Sequence, residues 1–409
     1  MTADFHVHTE HSGDGYDSVA QTKDMARYAG LDVVALSDHD TLTQTTDPDF
    51  GSTATLTVLP AVEWTTRMHA GVVGASFLPP DELAQAGPPA DWPAIVQDVI
   101  DRVHATGGAF IANHPADNRF PWVFDVRDVD AVEIWNSFWT VSDVGGKPSS
   151  PASIDDRMRS SGLTAAGIAP SAAIVAAAAA AGGGNDQALA YWEALLDRGE
   201  RIAAVGSSDR HRWILPGYPC TWLRVRDNTP AEVIAALRAG RTLITASPHG
   251  PWVEFEADAD GDGVFEAGIG DTVAAGSSVT LRVRVRGAAR GLVRIVRRRA
   301  TVHERRLSSG DVTFTLPVTL RPGDWVRLDV FEPVDGSLPA AAVVQSALGL
   351  LATPDIVAAF RAVGSVPPVI ANAELYEMPR RYLPLFNVDV PGGLNFGRAA
   401  ITSPIYAER

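Results

Sequence analysis

Cysteine is almost absent: Cys220 is the only one in 409 residues. One thiol can form no intramolecular disulfide and no thiolate zinc site, so any metal must be held by His, Asp and Glu. Positive charge is scarce too. Thirty-four Lys and Arg face 49 Asp and Glu, a formal net charge of -15. That balance argues against bulk attraction to nucleic acid or an anionic membrane and favours divalent cations as partners. Long apolar runs are missing as well. The most apolar tract, residues 171–181, is too short and alanine-rich to cross a bilayer, which needs about 20 apolar residues. Strand-like sequence begins at Asp4 with no leader pattern ahead of it. The expectation is a cytoplasmic protein, although a secreted one with its leader removed would look the same. There is no G-x-S-x-G elbow, no Walker-type phosphate loop and no internal repeat.

What is present is globular in composition, 46% hydrophobic and 20% charged, and the length exceeds the usual size of one hydrophobic core. Up to about residue 250, short runs of Val, Ile and Leu alternate with stretches of helical spacing. Residues 4–8, 32–37, 56–61, 109–113, 131–135 and 201–206 read as strands, and 18–30, 92–107 and 187–198 as helices. This alternation predicts an α/β domain over 1–250 with a mainly parallel sheet, open or closed into a barrel. Beyond 250 the period becomes two, in 279–285, 291–296, 312–316 and 325–331, which predicts an antiparallel β-sandwich-like domain over 251–409. Residues 336–394 read as a helical and irregular insertion within it, before a last strand at 399–406. The low-complexity stretch 176–184 reads as a tolerated surface insertion.

Nearly every predicted strand of the first half ends in ionisable residues. In order these are His6 and His8, Asp14, Asp38-His39-Asp40, Glu63, Asn113-His114, Glu133, and Asp209-Arg210-His211. Residues two apart on a strand share a face, so His6 and His8 can grip one ion, as can Asp209 and His211. Parallel α/β folds bind ligands at the carboxyl ends of their strands, where all these groups fall. A lone strand-end histidine is usually structural. Five strand ends in agreement would bury unpaired charge at several kcal/mol unless a cation were present. Imidazole with carboxylate and no sulfur suits zinc, manganese or iron, and the residues suffice for two or three ions.

The segments D-F-H-V-H-T-E-H-S-G-D-G, L-S-D-H-D-T, E-W-T-T, N-H-P, V-E-I-W-N and G-S-S-D-R-H resemble the ordered motifs of the polymerase and histidinol phosphatase (PHP) superfamily. Within it they look most like the branch that includes carbaryl hydrolase (CehA/McbA). The closing A-I-T-S-P-I-Y resembles that branch's final strand. The resemblance implies a distorted (β/α)7 barrel with a multinuclear metal centre. It implies that His6, His8, Glu63 and Asp209 surround one metal, that Glu63 bridges to a second held by His114, and that Asp14, His39 and His211 form a third position. Where some members supply another His to the second metal, this chain has V-E-I-W-N, and Glu133 or Asn136 stands there. His11 competes with Asp14 for the third position, and Asp14 is preferred.

Ions of this kind lower the pKa of water from 15.7 to about 7, so hydrolysis by metal-activated water is the expected reaction. Asp38 and His69 are candidate proton carriers. Arg210, between two proposed ligands, is a candidate contact for an anionic substrate. The substrate is expected to be a small molecule. Three ions suit a phosphoester; two ions with a roomier apolar pocket suit a carbamate or aryl ester. The phosphoester is preferred because Asp14, His39 and His211 make a complete third set. A non-catalytic, regulatory role would predict eroded ligands, and the set is nearly whole. Trp64, Trp122, Trp135, Trp139 and Trp213 either line a pocket or belong to the core.

Two further signals lie in the second half. Asp258, Asp260 and Asp262 resemble the opening of a calcium loop, but the position that needs a Glu is Ile269, so an acidic turn is the better reading. Ten arginines between 282 and 306 alternate in part as R-V-R-V-R, which suggests a solvated face or one that pairs with the acidic first domain.

Overall fold

The structure is a computed structural model that describes residues 1–74, 76–81, 83–137, 148–211, 215–276, 278–333, 387–390 and 394–409. The first strands are β1 (Thr2–Val7), β2 (Val33–Leu36), β3 (Thr57–Thr65), β4 (His69–Val73), β5 (Ala109–Ala112), β6 (Ala131–Asn136) and β7 (Ala203–Ser207). They lie side by side in that order in one sheet. β1, β2 and β3 are parallel, as are β5, β6 and β7. Between the two parallel sets, β4 runs antiparallel to both neighbours. The expected mainly parallel sheet is therefore mixed: β3 continues past residue 61 to Thr65 and turns back at once through β4. Beyond the end of β7 the chain returns to β1, where Val7 and Arg210 form a parallel bridge and His8 N–H donates to the Arg210 carbonyl at 2.9 Å. The sheet is thereby curled at the carboxyl ends of its strands.

Helices cover its outer face for sequence-local reasons. The helix Val19–Ala29 starts at a reciprocal capping box between Ser18 and Gln21 and stops at Gly30, whose φ of 88° suits glycine. The helix Trp92–Ala105 buries Trp92, Val96, Val99, Ile100 and Val103, an i, i+3, i+4 stripe. The helix Gly184–Arg198 does the same with Leu189, Trp192, Leu195 and Leu196. Of the low-complexity stretch, residues 176–179 close the helix Ala172–Ala179, which sets Ala173, Ile174 and Ala177 in the main core, while residues 178–183 are partly or fully exposed. Small side chains there allow close approach to Gly184–Arg198. No helix among the described residues is long and apolar enough to cross a membrane.

Two more strands, β8 (Cys220–Leu223) and β9 (Thr242–Thr245), extend the sheet from β1 in antiparallel fashion. The rest of the chain adds β10 (Trp252–Asp258), β11 (Ala267–Gly268), β12 (Thr272–Val273), β13 (Ser278–Arg286), β14 (Leu292–Arg297), β15 (Ala300–Arg306), β16 (Asp311–Thr319), β17 (Trp325–Pro333), β18 (Asn387–Val390), β19 (Leu394–Thr402) and β20 (Ile405–Ala407). Strands β11, β10, β13 and β16 form a separate antiparallel sheet. Its inward residues Phe255, Leu281 and Val283 share a core with Ile295, Val326 and Leu328 on the larger sheet, which gives the expected face-to-face packing. The larger sheet does not stop at residue 250, because β19 pairs with β9 and carries it on into β17 and β20.

Strand β17 is buried on both faces. While Val326, Leu328 and Val330 face the sandwich, Arg327 reaches Glu193 of the helix Gly184–Arg198 at 2.6 Å and Trp325 donates to Asp197 at 2.9 Å. The arginine-rich strands divide their labour. Arg282 and Arg284 pair across strands with Glu256 and Glu254, whereas Arg299 reaches Asp197 on the first half's helix at 2.7 Å. The acidic turn is self-contained: Asp258 accepts from the N–H groups of Gly261 and Gly263, and Asp262 from that of Val264. The expected insertion at 336–394, apart from the strand residues 387–390 and 394, lies outside the described residues, as do Trp139 and Trp213.

Candidate metal centre

The strand ends converge. His6 lies next to last in the buried strand β1, His8 follows it, Glu63 points in from β3, His69 opens β4, His114 follows β5, and Asp209 and His211 follow β7. Glu63 is the hub. Its carboxylate lies 3.0 Å from His6 Nε2, 3.4 Å from His8 Nε2, 3.1 Å from both His39 Nδ1 and His69 Nδ1, and 3.3 Å from His114 Nε2. Asp209 Oδ1 adds contacts of 3.2 Å to His6 and 3.3 Å to His8. At the solvent side Asp14 stands 3.3 Å from both His39 Nε2 and His211 Nε2.

Of the contacts to Glu63, those of His69 Nδ1 and His114 Nε2 have hydrogen-bond geometry. His6 Nε2, His8 Nε2 and Asp209 Oδ1 are buried and have no aligned hydrogen-bond partner although they crowd together. Buried polar atoms left in that state cost about 1–3 kcal/mol each, which a shared cation removes. The opposite ring nitrogens are engaged: His6 Nδ1 lies 3.1 Å from Glu133 Oε1 and His8 Nδ1 lies 2.8 Å from Ser12 Oγ. That is how proteins orient metal-binding imidazoles. Four overlapping sets have donor atoms within 4.8 Å of one another: His6, His8, Glu63 and Asp209; His8, Asp14, His39 and His211; Glu63, His69 and His114; and His6, His114 and Glu133. The nitrogen and oxygen donors fit divalent zinc, manganese or iron.

Without an ion the charges must balance through protons. Burial disfavours a charged His6, yet Asp209, Glu63 and Glu133 outweigh it and hold the ring's pKa well above its ordinary value. Burial likewise opposes the Glu63 carboxylate, and His6, His69 and His39 overcome it, holding Glu63 well below the usual range. An incoming cation would displace such protons. The backbone is strained at the same place. His114 and Asp209 have φ of 26° and 50°, a left-handed region uncommon for residues with side chains and costly by about 1–3 kcal/mol each.

Asp14 is at the cluster, whereas His11 turns to Thr43 and Asp47 at 3.0 and 3.4 Å. Glu133 Oε2 accepts from His114 N–H at 2.9 Å and from Asn136 Nδ2 at 3.0 Å, so Asn136 reaches the cluster through Glu133 and Asp209. His69 belongs to a candidate ligand set, a role its sequence neighbours did not suggest. The antiparallel turn-back of β4, invisible in the motif spacing, brings it there. Asp38 is elsewhere: its buried carboxylate accepts from Thr9 N–H at 2.6 Å and Thr9 Oγ1 at 2.8 Å, shaping the loop after β1. Arg210 is buried against Met25 and paired with Asp17 at 2.5 Å. The structure does not bring its guanidinium to the cluster. Trp64, Trp122 and Trp135 are core residues, and Trp122 Nε1 donates to the His69 carbonyl at 2.8 Å.

No family model matches the chain. Over 157 residues it is 29% identical to an uncharacterized protein of Methanocaldococcus jannaschii, a stretch covering 34% of this chain and 83% of that protein. Among solved structures it is similar to a two-domain protein of Bacteroides vulgatus containing a predicted PHP-like metal-dependent phosphoesterase. That likeness has 15% sequence identity and a TM-score of 0.38, covering 80% of this chain and 90% of the other. The chemistry of the site therefore rests on its own geometry.

Proposed function

We propose that this protein is a metal-dependent hydrolase of the PHP superfamily, acting on a phosphoester. The observation that carries the reading is the convergence of the unpartnered His6 Nε2, His8 Nε2 and Asp209 Oδ1 on the Glu63 carboxylate. His6, His8, Glu63 and Asp209 would hold one ion, Glu63, His69 and His114 a second, and Asp14, His39 and His211 a third. Divalent ions supply acidified water and Lewis acidity at neutral pH. The chain's own part is positional. Glu133 and Ser12 orient His6 and His8, Asn113 Nδ2 donates to Glu63 at 3.1 Å, and the half-exposed Asp14 marks the open side where an ester would enter.

The candidate third set favours a phosphoester, whose several oxygens can meet several cations, over a carbamate. The test is metal analysis with and without chelator, then a screen of p-nitrophenyl phosphate, bis-p-nitrophenyl phosphate and a naphthyl carbamate. Turnover of a phosphate ester that is lost with chelator and regained with zinc, manganese or iron is expected. Turnover of the carbamate alone would favour the aryl-ester reading, and a fully loaded protein inert on all three would end the enzyme reading.

A further inference from the structure

The loop that carries His114 also carries a cation at its tip. From His114 to Trp122 the chain closes on itself: Asp117 N–H donates to the His114 carbonyl at 3.0 Å and Trp122 N–H to the Pro115 carbonyl at 3.0 Å. Within this loop the buried Asp117 carboxylate takes the Arg119 guanidinium in a fork, with Nη2 at 2.7 Å and Nε at 3.1 Å. The Arg119 side chain is nonetheless 56% exposed. It lies over Phe120, 5.6 Å from the ring centroid, and Phe120 stacks on His69 at 4.4 Å. Arg119 is thus no further from the His69 ring than those two distances laid end to end.

Arg119 has company. Arg157 approaches the same Phe120 ring at 5.7 Å and donates to the Arg67 carbonyl at 3.2 Å. Burial and the neighbouring Arg67 charge hold Arg157 below the ordinary arginine value. Among the described residues neither Arg67 nor Arg157 has a carboxylate within ion-pair distance. Arg67 itself lies over Trp92 at 5.1 Å, so two guanidiniums, Arg119 and Arg157, flank the Phe120 ring. They suit a ligand anion.

We infer that Arg119, aimed by Asp117 and supported by Arg157, binds a second anionic group on the substrate, so that the substrate is a small organic phosphate bearing a further carboxylate or phosphate. This rests on the hydrolase reading, which places the phosphoryl group at the His/Asp/Glu cluster. Phe120 spans the gap between the cluster and the arginines, and its face suits the organic part between the two anions. The fork on Asp117 fixes the guanidinium plane before the ligand arrives, which limits the ordering cost of binding.

Binding of phenylphosphonate and 4-carboxyphenylphosphonate, which are not hydrolysed, to the metal-loaded protein tests this by calorimetry. The carboxylated ligand is expected to bind about tenfold more tightly. Arg119→Met should bring that ratio close to one, and Arg119→Lys and Arg157→Gln should lower it in part. A ratio cancels any loss of folded protein. A wild-type ratio near one, or a ratio unmoved by all three variants, would overturn the inference. The matched phosphate esters then separate the two claims: a carboxylate preference in binding without turnover of either ester would leave the anion site standing and remove the hydrolase.

Discussion

Glu133 offers a sharp perturbation because its two oxygens have different tasks. Oε1 faces His6 Nδ1 at 3.1 Å, while Oε2 accepts from His114 N–H and the Asn136 amide at 2.9 and 3.0 Å. In Glu133→Gln the amide oxygen is expected to keep the two donors, which turns the NH2 group toward His6. The ring must then accept at Nδ1 and carry its proton on Nε2, the atom that faces Glu63 and Asp209. A protonated nitrogen cannot bind a cation, so each loading event must first break the new hydrogen bond. Losses of this kind run to about 10–100-fold in metal affinity, about 1.4–2.7 kcal/mol. Calorimetric titration of chelator-treated protein with zinc or manganese measures it. The ion count at saturation decides between two roles. An unchanged count with weaker binding means Glu133 orients His6, and one ion fewer per chain means it is a ligand. Affinity within twofold of wild type with an unchanged count would refute the tautomer argument altogether.

Gly71 lies opposite Glu63 on β4, and a Cβ there would meet Asn113 Oδ1 at 3.0 Å and Ile111 Cβ at 3.3 Å. Gly71→Ala is expected to cost about 1–3 kcal/mol in denaturant titration and to weaken metal binding, since Asn113 donates to Glu63; an unchanged melt would contradict the close packing. Ala177 is fully buried and Val175 is 51% exposed, so Ala177→Leu should lose about 1–3 kcal/mol while Val175→Asn stays within about 0.5 kcal/mol; similar melting of the two variants would refute the packed helix. Burial opposes the charge on Asp329, but Arg327 and Arg398 hold its pKa below the usual value. A carboxyl with a depressed folded pKa stabilises above its unfolded value and loses that contribution as pH falls through the folded one. The stability gap between wild type and Asp329→Asn should therefore be flat from about pH 6 to 8 and shrink below about pH 4; a gap that widens in acid would refute the pairing.

The cluster was legible because its candidate ligands sit at strand ends, where a period of two and a run of apolar residues fix both position and face. His6, His8, Glu63, His114 and Asp209 were marked out in this way, and their grouping around particular ions came from the resemblance to the PHP motifs. His69 did not read as a ligand, because the tight reversal from β3 into β4 has no Gly-Asn or Pro signal in Thr65-Thr66-Arg67-Met68. Arg210 is a different case. Strand alternation sends it away from the cluster, and a contact with an anion depended on the loop beyond β7; the structure turns its guanidinium to Asp17 and Met25. Low complexity marked 176–184 as a surface insertion, and its first residues also close a packed helix, where buried Ala177 shows alanine serving as a helix former small enough for a close contact. Continuity of the sheet from β9 into β19 could not be read locally, since about 150 residues separate the two strands in the chain.

That pairing has a bearing on the order of events during synthesis. His211, the last of the proposed ligands, is made well before β19 and β20, which complete the sheet beside β9 and place Ser403 Oγ to accept from the Ala204 N–H of β7 at 2.9 Å. At about 5–20 residues per second, ribosomes need roughly 10–40 s to travel from residue 211 to residue 402. For that interval all the ligands exist in a nascent chain whose β7 and β9 still lack their final neighbours. The sheet around the cluster is therefore completed only at the end of translation, and a released chain matures as one unit rather than as a finished first half trailing a second domain.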